Sequence, residues 1–174
     1  SSREEPEMRG PEYTPADQAW LRSVKQRLDT LDTHKRITGV AARDPSTGTP
    51  QVLTIHPLRT TDKSTCRVPW TNIFWLVDPT LIREVGRLET VGYIEAFSAR
   101  LANDAEAFAQ HVRAHHEYAA ERWALLSKAE QSYAEAEGYD RVLRWTGVGG
   151  IRYPNQVKCL HQHYAHHLAT GKSL

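Results

Sequence analysis

A change in hydrophobic period near Asp78 constrains the fold of this 174-residue chain more than any other feature. Between Ile37 and Val77 the apolar residues form short runs separated by turn-forming residues, which is typical of β-strands. Beyond Asp78 they recur every three or four positions, which is the period of helices that pack through one face. The sequence therefore predicts an α+β fold in which a small antiparallel sheet packs against several helices and the C-terminal half is rich in helix.

Turn and cap residues set the limits of the predicted elements. Two strands, over residues 37–42 and 51–56, flank a turn rich in proline and glycine. The apolar run at residues 73–77 predicts a third, buried strand. Helices are predicted to begin where a capping residue stands next to a residue that suits a first turn. These starts are Thr14-Pro15, Asp78-Pro79 and Asn103-Asp104.

The helix that follows Asn103-Asp104 carries polar residues among its apolar ones. At about 100° per residue, His115 and Arg122 fall on or beside the apolar face, and Tyr118 falls at its rim. Buried polar groups need hydrogen-bond partners, so we expect these side chains to join a site or a polar network. The next segment, residues 127–139, is polar and rich in Glu, and we expect it to be exposed.

Length, charge and cysteine content exclude several classes of protein. Residues 1–13 are predicted to form a polar tail. Residues 14–174 are predicted to form a single domain, and this length is enough to bury a hydrophobic core. The 22 Lys and Arg nearly balance the 21 Asp and Glu, which argues against a dedicated nucleic-acid binder. No apolar run approaches the ~20 residues of a membrane span. Two distant cysteines, Cys66 and Cys159, favour a reducing intracellular compartment: the cytoplasm if bacterial, or the mitochondrial matrix if eukaryotic.

Reactive side chains are concentrated in residues 147–168. A run of glycines precedes Pro154, and we predict a helix from Pro154 to about Ala169. Free amides at a helix start attract anions, and Arg152 and Lys158 flank this start. The segment therefore predicts a pocket for a phosphate or carboxylate, with an ordinary glycine turn before a helix as the alternative.

One face of this predicted helix has the spacing of a transition-metal site. Cys159, His163 and His166 share that face at offsets of four and seven. A further zinc ligand would come from elsewhere in the chain; the candidates are Cys66, Glu89 and His115. Two alternatives stay open. The histidines either hydrogen-bond in the core or face water, and Cys159 is a nucleophile whose pKa is lowered by the helix start and nearby cations.

His161 lies on the other, apolar face of the same predicted helix. A buried imidazole needs hydrogen-bond partners. The candidates are Glu89, Tyr118 and Arg122, each near an apolar face of its own helix. Such a network would tie three helices together without performing any chemistry.

Several blocks of the sequence resemble one family. The blocks are residues 39–44, 73–79 and 87–89 with Gly92, then His115, Tyr118 and Arg122, then Gly149-Gly150, and finally residues 157–161 followed by Ala165-His166. On these blocks, the chain from about residue 15 to its end is similar to the uncharacterised, mainly bacterial family called domain of unknown function 501. The block around Cys159 is the most specific. The resemblance implies no activity, but it implies the following site residues: Glu89, His115, Tyr118, Arg122, Gly149, Gly150, Lys158, Cys159, His161 and His166.

The sequence also departs from the family pattern. Pro69-Trp70-Thr71-Asn72 stands where the family has Pro-Phe-Pro-Thr, and Asp44-Pro45-Ser46 stands where cysteines are common. The missing cysteines weigh against a metal site at the first hairpin. Three further histidines do not match the pattern, which weighs against the face-sharing metal site; these are His116, His163 and His167.

Three functions are compatible with the sequence. The first is a pocket, with or without catalysis, for a small anionic or phosphorylated ligand. Its catalytic candidates are Cys159, His161, His166, Glu89 and His115, and its ligand-binding candidates are Gly149, Gly150, Arg152, Lys158, Arg122 and Tyr118. The second is a non-catalytic subunit or assembly factor of a larger protein or RNA complex, such as the mitochondrial ribosome. The third is a structural zinc protein, with Cys159, His163 and His166 as metal ligands.

Overall fold

A computed structural model describes residues 12–24, 36–60 and 67–171. Residues 1–11 of the predicted tail, the second half of the predicted first helix, and Cys66 lie outside these ranges. The described strands are β1 (Ile37–Arg43), β2 (Pro50–Ile55), β3 (Leu58–Thr60), β4 (Arg67–Pro69) and β5 (Phe74–Leu76). The described helices are α1 (Pro15–Ser23), α2 (Pro79–Thr90), α3 (Tyr93–Asn103), α4 (Ala105–Ala124), α5 (Lys128–Ala136), α6 (Asp140–Leu143) and α7 (Leu160–Thr170), with a 3-10 turn at Val148–Gly150.

The predicted α+β architecture is confirmed. β1, β2 and β5 form an antiparallel sheet in that order, with Val40 opposite Leu53 and Leu53 opposite Trp75. β3 and β4 form a separate antiparallel pair that the sequence did not predict. Both are only three residues long, which is too short for a hydrophobic alternation to be recognised.

Helices cover both faces of the three-stranded sheet. Successive residues of β2 point to opposite faces, so Val52 joins one core and Leu53 another. Leu21 of α1 packs with Leu53. On the other face α7 lies centrally, with Leu160 and Ala165 in the core that contains Val52. The last helix is therefore sandwiched between the sheet and the other C-terminal helices, which places its polar side chains in or beside the core.

The predicted helix starts are confirmed where a capping side chain is present. Thr14 forms a capping box with Asp17, and Asp78 and Asp104 accept backbone N–H groups at the starts of α2 and α4. The segment predicted to be merely exposed contains α5, whose residue Ala134 is buried. The signal that could have found this helix is the capping box formed by Ser127 with the Glu three residues later.

The predicted start of α7 is wrong by six residues. The helix begins at Leu160 rather than Pro154, and Cys159 is its N-cap residue in an extended conformation. No side chain of the segment itself caps the helix; the carboxylate of Glu89 in α2 accepts the backbone N–H of Leu160 instead. The start is thus fixed by a tertiary contact, which local sequence signals do not contain.

None of the described helices is both long and apolar enough to span a lipid bilayer.

Candidate functional site

Glu89 at the end of α2 meets the first residues of α7. Its Oε1 accepts the Leu160 N–H at 2.7 Å and lies 3.2 Å from His161 Nδ1. Cys159 Sγ lies 3.9 Å from the same ring nitrogen. One ligand atom each from Glu89, Cys159 and His161 lies within 4.8 Å of the other two. The structure thus brings together three of the predicted site residues; we call them the Glu-Cys-His cluster.

The orientation of the His161 ring is fixed by α2. Its Nε2 lies 3.1 Å from the carbonyl oxygen of Ile82. A carbonyl oxygen only accepts, so Nε2 carries the hydrogen, and Nδ1 of the neutral ring keeps a lone pair. That lone pair and Glu89 Oε1 then face each other at 3.2 Å. Two lone pairs that face each other at this distance repel unless a proton or a metal ion lies between them.

The surroundings of Cys159 do not activate a nucleophile. Burial, together with the Glu89 carboxylate, raises the pKa of the Cys159 thiol, whereas a reactive cysteine needs a lowered pKa. In a nucleophile–histidine–acid triad, the acid holds the ring nitrogen opposite the one that faces the nucleophile. Here Sγ and the carboxylate share Nδ1, and Nε2 is held by Ile82. The three side chains are arranged as a set of metal ligands would be, and not in the order of a catalytic triad.

His163 lies in a different cluster, with two histidines of α4. His111 and His115 lie one helical turn apart, and their Nε2 atoms are 2.9 Å from each other. The His163 ring is 5.4 Å from that of His111 and 5.5 Å from that of His115. All three are buried. His111 was not among the residues predicted from the sequence, although its i, i+4 spacing from His115 could have indicated a pair on one helix face.

The three buried histidines are held neutral by their environment. Burial lowers the pKa of His115 to about 3, and neighbouring His111 adds to this lowering. Burial likewise lowers the pKa of His163 to about 3, with His115 as the next cause. No carboxylate is included in this cluster among the described residues. An imidazolium here would be desolvated without an opposite charge, which is why the neutral form is favoured.

His166 is a member of neither cluster. Its ring stacks on Phe74 at 5.9 Å and meets the Tyr118 ring edge-on at 5.0 Å. The predicted metal face of Cys159, His163 and His166 is therefore divided among three environments. The face required Cys159 to lie within the helix, whereas it is the extended cap residue.

Arg122 and Tyr118 belong to the core. Each lies fully buried in α4. The Arg122 guanidinium donates to the backbone carbonyls of Leu143, Thr71, Val142 and Thr146, so each of its three nitrogens is hydrogen-bonded. The Tyr118 hydroxyl accepts the N–H of Ile73 at 2.9 Å. Together these side chains connect α4 to the residues before β5 and to the segment after α5.

The glycine turn and Lys158 are hydrogen-bonded to each other. Gly149 and Gly150 have φ of 70° and 76°, a left-handed conformation that favours glycine. Lys158 Nζ donates to the Gly149 carbonyl at 3.1 Å. The first amide of α7 is occupied by Glu89. The anion position that the sequence predicted at this helix start is thus filled by the protein's own carboxylate.

Arg152, the other predicted cation, lines a cavity of about 710 Å³. The cavity lies between α4, the start of α5 and residues 144–154. Small side chains of α4, including Ala119 and Ala120, leave room for it. Five lining residues carry a cationic or imidazole side chain, namely His115, His116, Lys128, Arg144 and Arg152, and two carry an indole, Trp123 and Trp145. No Asp or Glu is among the described lining residues.

The aromatic and cationic residues of this cavity are interleaved. The Arg144 guanidinium lies 5.0 Å from the Trp123 ring and 5.7 Å from the Trp145 ring. Trp145 is 69% exposed, which is unusual for an indole. Lys128 Nζ donates to the neutral Gln131 amide oxygen. Arg144 Nη1 lies 3.7 Å from the carboxylate of Glu135, a residue that does not line the cavity. Sequence reasoning missed Lys128, Arg144 and Trp145 because only folding brings α5 beside residues 144–154.

The architecture is that of a small α+β protein whose reactive side chains gather around its last helix. The chain belongs to the family described as Protein of unknown function (DUF501), whose model matches residues 40–173. The matched range contains the Glu-Cys-His cluster, the buried histidines and the cavity, and it confirms the resemblance inferred from the sequence. Neither a curated protein nor a solved structure matches the chain.

Proposed function

We propose that the protein binds a small phosphorylated ligand in the cavity between α4, α5 and residues 144–154. The observation that carries this proposal is the lining itself, which combines Lys128, Arg144 and Arg152 with no acidic residue. The whole chain has nearly equal numbers of acidic and basic residues, so this lining is a local segregation of charge. A concave surface lined by one sign of charge concentrates ligands of the opposite sign.

The cavity also favours a ligand with a planar ring. Its volume of about 710 Å³ lies within the usual range of small-molecule sites. Trp145 presents an exposed indole beside the Arg144 guanidinium. An indole offers a stacking surface for a base, and guanidinium groups bind phosphate oxygens in pairs. A nucleoside phosphate combines both chemistries, with its phosphate at Lys128 and Arg152.

Calorimetric titration of the full chain with AMP, pyrophosphate and adenosine tests this proposal. We expect AMP to bind, pyrophosphate to bind more weakly, and adenosine to bind at least tenfold more weakly than AMP, since one charge-assisted phosphate contact is worth about 1.5–3 kcal/mol. Arg152→Gln and Lys128→Gln should each weaken AMP binding about tenfold. Arg83→Gln removes an equal charge from exposed α2 and serves as the matched control.

Trp145→Leu distinguishes binding of the base from binding of the phosphate. It should weaken AMP binding and leave pyrophosphate binding unchanged, because only the base would contact the indole. The proposal fails if neither phosphate compound binds at millimolar concentration, or if the Arg152 and Arg83 variants bind AMP equally well. Membership of a larger assembly stays a prediction from the sequence, since no contact in the described part of the chain favours it.

A further inference from the structure

The Glu-Cys-His cluster is separate from the cavity proposed to bind the phosphorylated ligand. None of Glu89, Cys159 and His161 is among the described residues that line that cavity. The cluster combines a carboxylate oxygen, a thiol sulfur and an imidazole nitrogen, which all lie within 4.8 Å of one another. This donor set is the one that zinc and neighbouring transition metals accept, whereas magnesium and calcium prefer oxygen alone.

We propose that Glu89, Cys159 and His161 bind a zinc-class transition metal ion through Oε1, Sγ and Nδ1. In a tetrahedral zinc site the ligand atoms lie roughly 3.3–3.6 Å from one another. The observed separations from His161 Nδ1 are 3.2 Å to Glu89 Oε1 and 3.9 Å to Cys159 Sγ. Shortening the Cys159 Sγ to His161 Nδ1 separation by a few tenths of an ångström brings that pair into the tetrahedral range, and Cys159 Sγ and Glu89 Oε1 already lie within 4.8 Å of each other.

The hydrogen bonds around the cluster are those of a metal site. A metal-bound histidine usually donates its second ring N–H to a carbonyl or carboxylate, which fixes the tautomer. His161 Nε2 does so to Ile82, leaving the Nδ1 lone pair directed at the cluster. Ligating carboxylates are themselves hydrogen-bonded, and Glu89 accepts the Leu160 N–H. Both ligand-orienting contacts come from α2 and α7, two elements that pack directly against each other.

Charge balance supports a divalent ion at this position. With a metal bound, the thiol and the carboxylate are both anionic and the imidazole is neutral, so a divalent ion gives a net charge of zero. Without one, a thiolate beside Glu89 would be repelled. The side chains of Glu89 and His161 are each 25% exposed, so solvent can reach the cluster. Three protein ligands with an accessible fourth position are the pattern of zinc sites that bind water or a substrate.

The buried histidines are a poorer ligand set in spite of their number. His115 Nδ1 accepts the N–H of Val148 at 2.8 Å, so the hydrogen of the neutral ring lies on Nε2. That hydrogen points at His111 Nε2, 2.9 Å away. A metal at this point would need a lone pair on Nε2, which the neutral ring does not have. The contrast with His161, whose free nitrogen faces its cluster, assigns the metal to Glu89, Cys159 and His161.

The test uses the full chain after treatment with a chelator. Zn²⁺ should bind with a stoichiometry of one by calorimetry. Co²⁺ should bind with the intense visible bands of tetrahedral coordination and a thiolate-to-metal charge-transfer band in the near ultraviolet. The charge-transfer band reports Cys159 directly, because it requires a sulfur ligand.

Variants of each ligand distinguish coordination from a structural role. Cys159→Ser should abolish the charge-transfer band and weaken Zn²⁺ binding at least tenfold, and His161→Gln should weaken binding similarly. Glu89→Gln keeps an oxygen that accepts the Leu160 N–H while removing the negative charge, so it should fold normally yet bind Zn²⁺ at least tenfold more weakly. His167→Gln, on the exposed surface of the same helix, is the matched control and should bind like the unchanged chain.

Three outcomes would overturn the proposal. The first is the absence of Zn²⁺ binding at micromolar protein concentration, which would leave the Glu89–His161 contact as a hydrogen bond. The second is Co²⁺ binding without a thiolate band. The third is loss of binding in His163→Leu together with full binding in Cys159→Ser, which would move the metal to the buried histidines.

Discussion

His115 accepts the backbone N–H of Val148 through Nδ1 at 2.8 Å and packs directly on the Cα of Gly147. A β-carbon on Gly147 would overlap the imidazole ring, well inside van der Waals contact. Gly147 itself has φ of −87°, so the glycine is required by this close approach and not by its backbone conformation. The contact fixes the glycine-containing segment against α4, between the cavity and the buried histidines.

Replacing Gly147 with alanine should therefore destabilise the protein. Overpacking a buried position costs about 1–3 kcal/mol, and this site is at or above the upper end because the overlap is with a buried ring. Urea denaturation measures the change. Gly86→Ala in α2 is the control, since the nearest atom that a β-carbon there would meet is His161 Nε2, at 4.0 Å. That variant should be stabilised by roughly 0.5–1 kcal/mol, as helix-interior Gly→Ala usually is. Equal effects of the two substitutions would contradict the packing described.

Arg122→Lys should be strongly destabilising although it keeps the charge. Lysine cannot reproduce the planar set of donors that Arg122 directs at four backbone carbonyls. Buried carbonyls left without a donor cost about 1–3 kcal/mol each, so a total loss of about 3–5 kcal/mol is expected. Arg113→Lys, exposed on the same helix, should change stability by less than about 0.5 kcal/mol. Chemical denaturation of the two variants provides the comparison.

Acidification should destabilise the fold through the buried histidines. The pKa of both His115 and His163 is lowered to about 3 in the folded state, whereas an unfolded histidine titrates near 6.5. Between these values the unfolded chain binds more protons, so stability is complete above about pH 6.5 and falls as the pH is lowered. Each histidine contributes a slope of about 1.4 kcal/mol per pH unit.

His163→Leu should reduce the slope of unfolding free energy against pH by the contribution of one histidine. Unfolding free energies measured from about pH 7 down to about pH 4 give the slope for the variant and for the unchanged chain. His167→Leu removes a histidine that is exposed on α7 and should leave the slope as it was. An unchanged slope in His163→Leu would show that this ring is not held neutral in the core.

Asp17→Asn should loosen α1 from the sheet. The Asp17 carboxylate forms a bidentate pair with Arg43 of β1, with separations of 2.6 and 2.8 Å, and also closes the capping box with Thr14. Loss of the charge should cost about 1–2 kcal/mol in thermal or urea unfolding. Glu84→Gln, which disrupts only exposed ion pairs in α2, should have little effect.

The Asp17 contribution has its own pH window. Hydrogen bonding to Arg43 lowers the pKa of Asp17 from 3.8 to about 2. The folded state therefore holds the carboxylate ionised more strongly than the unfolded state does. Its stabilisation is complete above about pH 3.8 and is lost as the pH falls towards 2, so this window overlaps that of the buried histidines only between about pH 3 and 3.8. Asp17→Asn should differ least from the unchanged chain at the acid end.

Local sequence signals determined several of the elements of this protein. The hydrophobic period separated the strand region from the helical region, and capping residues such as Thr14, Asp78 and Asp104 located helix starts, because these interactions span only three or four residues. Burial of His115 and Arg122 followed from helical spacing as well, since a side chain on an apolar face is carried into the core.

Only the tertiary structure decided which side chains meet. Cys159, His163 and His166 have the spacing of one helix face, but Glu89 in α2 starts the helix after Cys159 and so separates them. The same contact places Cys159 and His161 beside Glu89, although Glu89 and Cys159 are 70 residues apart in the sequence. Helical periodicity describes neighbours within one element, whereas a site assembled from two elements depends on where each begins and which faces pack, and that is decided by the burial of the whole chain.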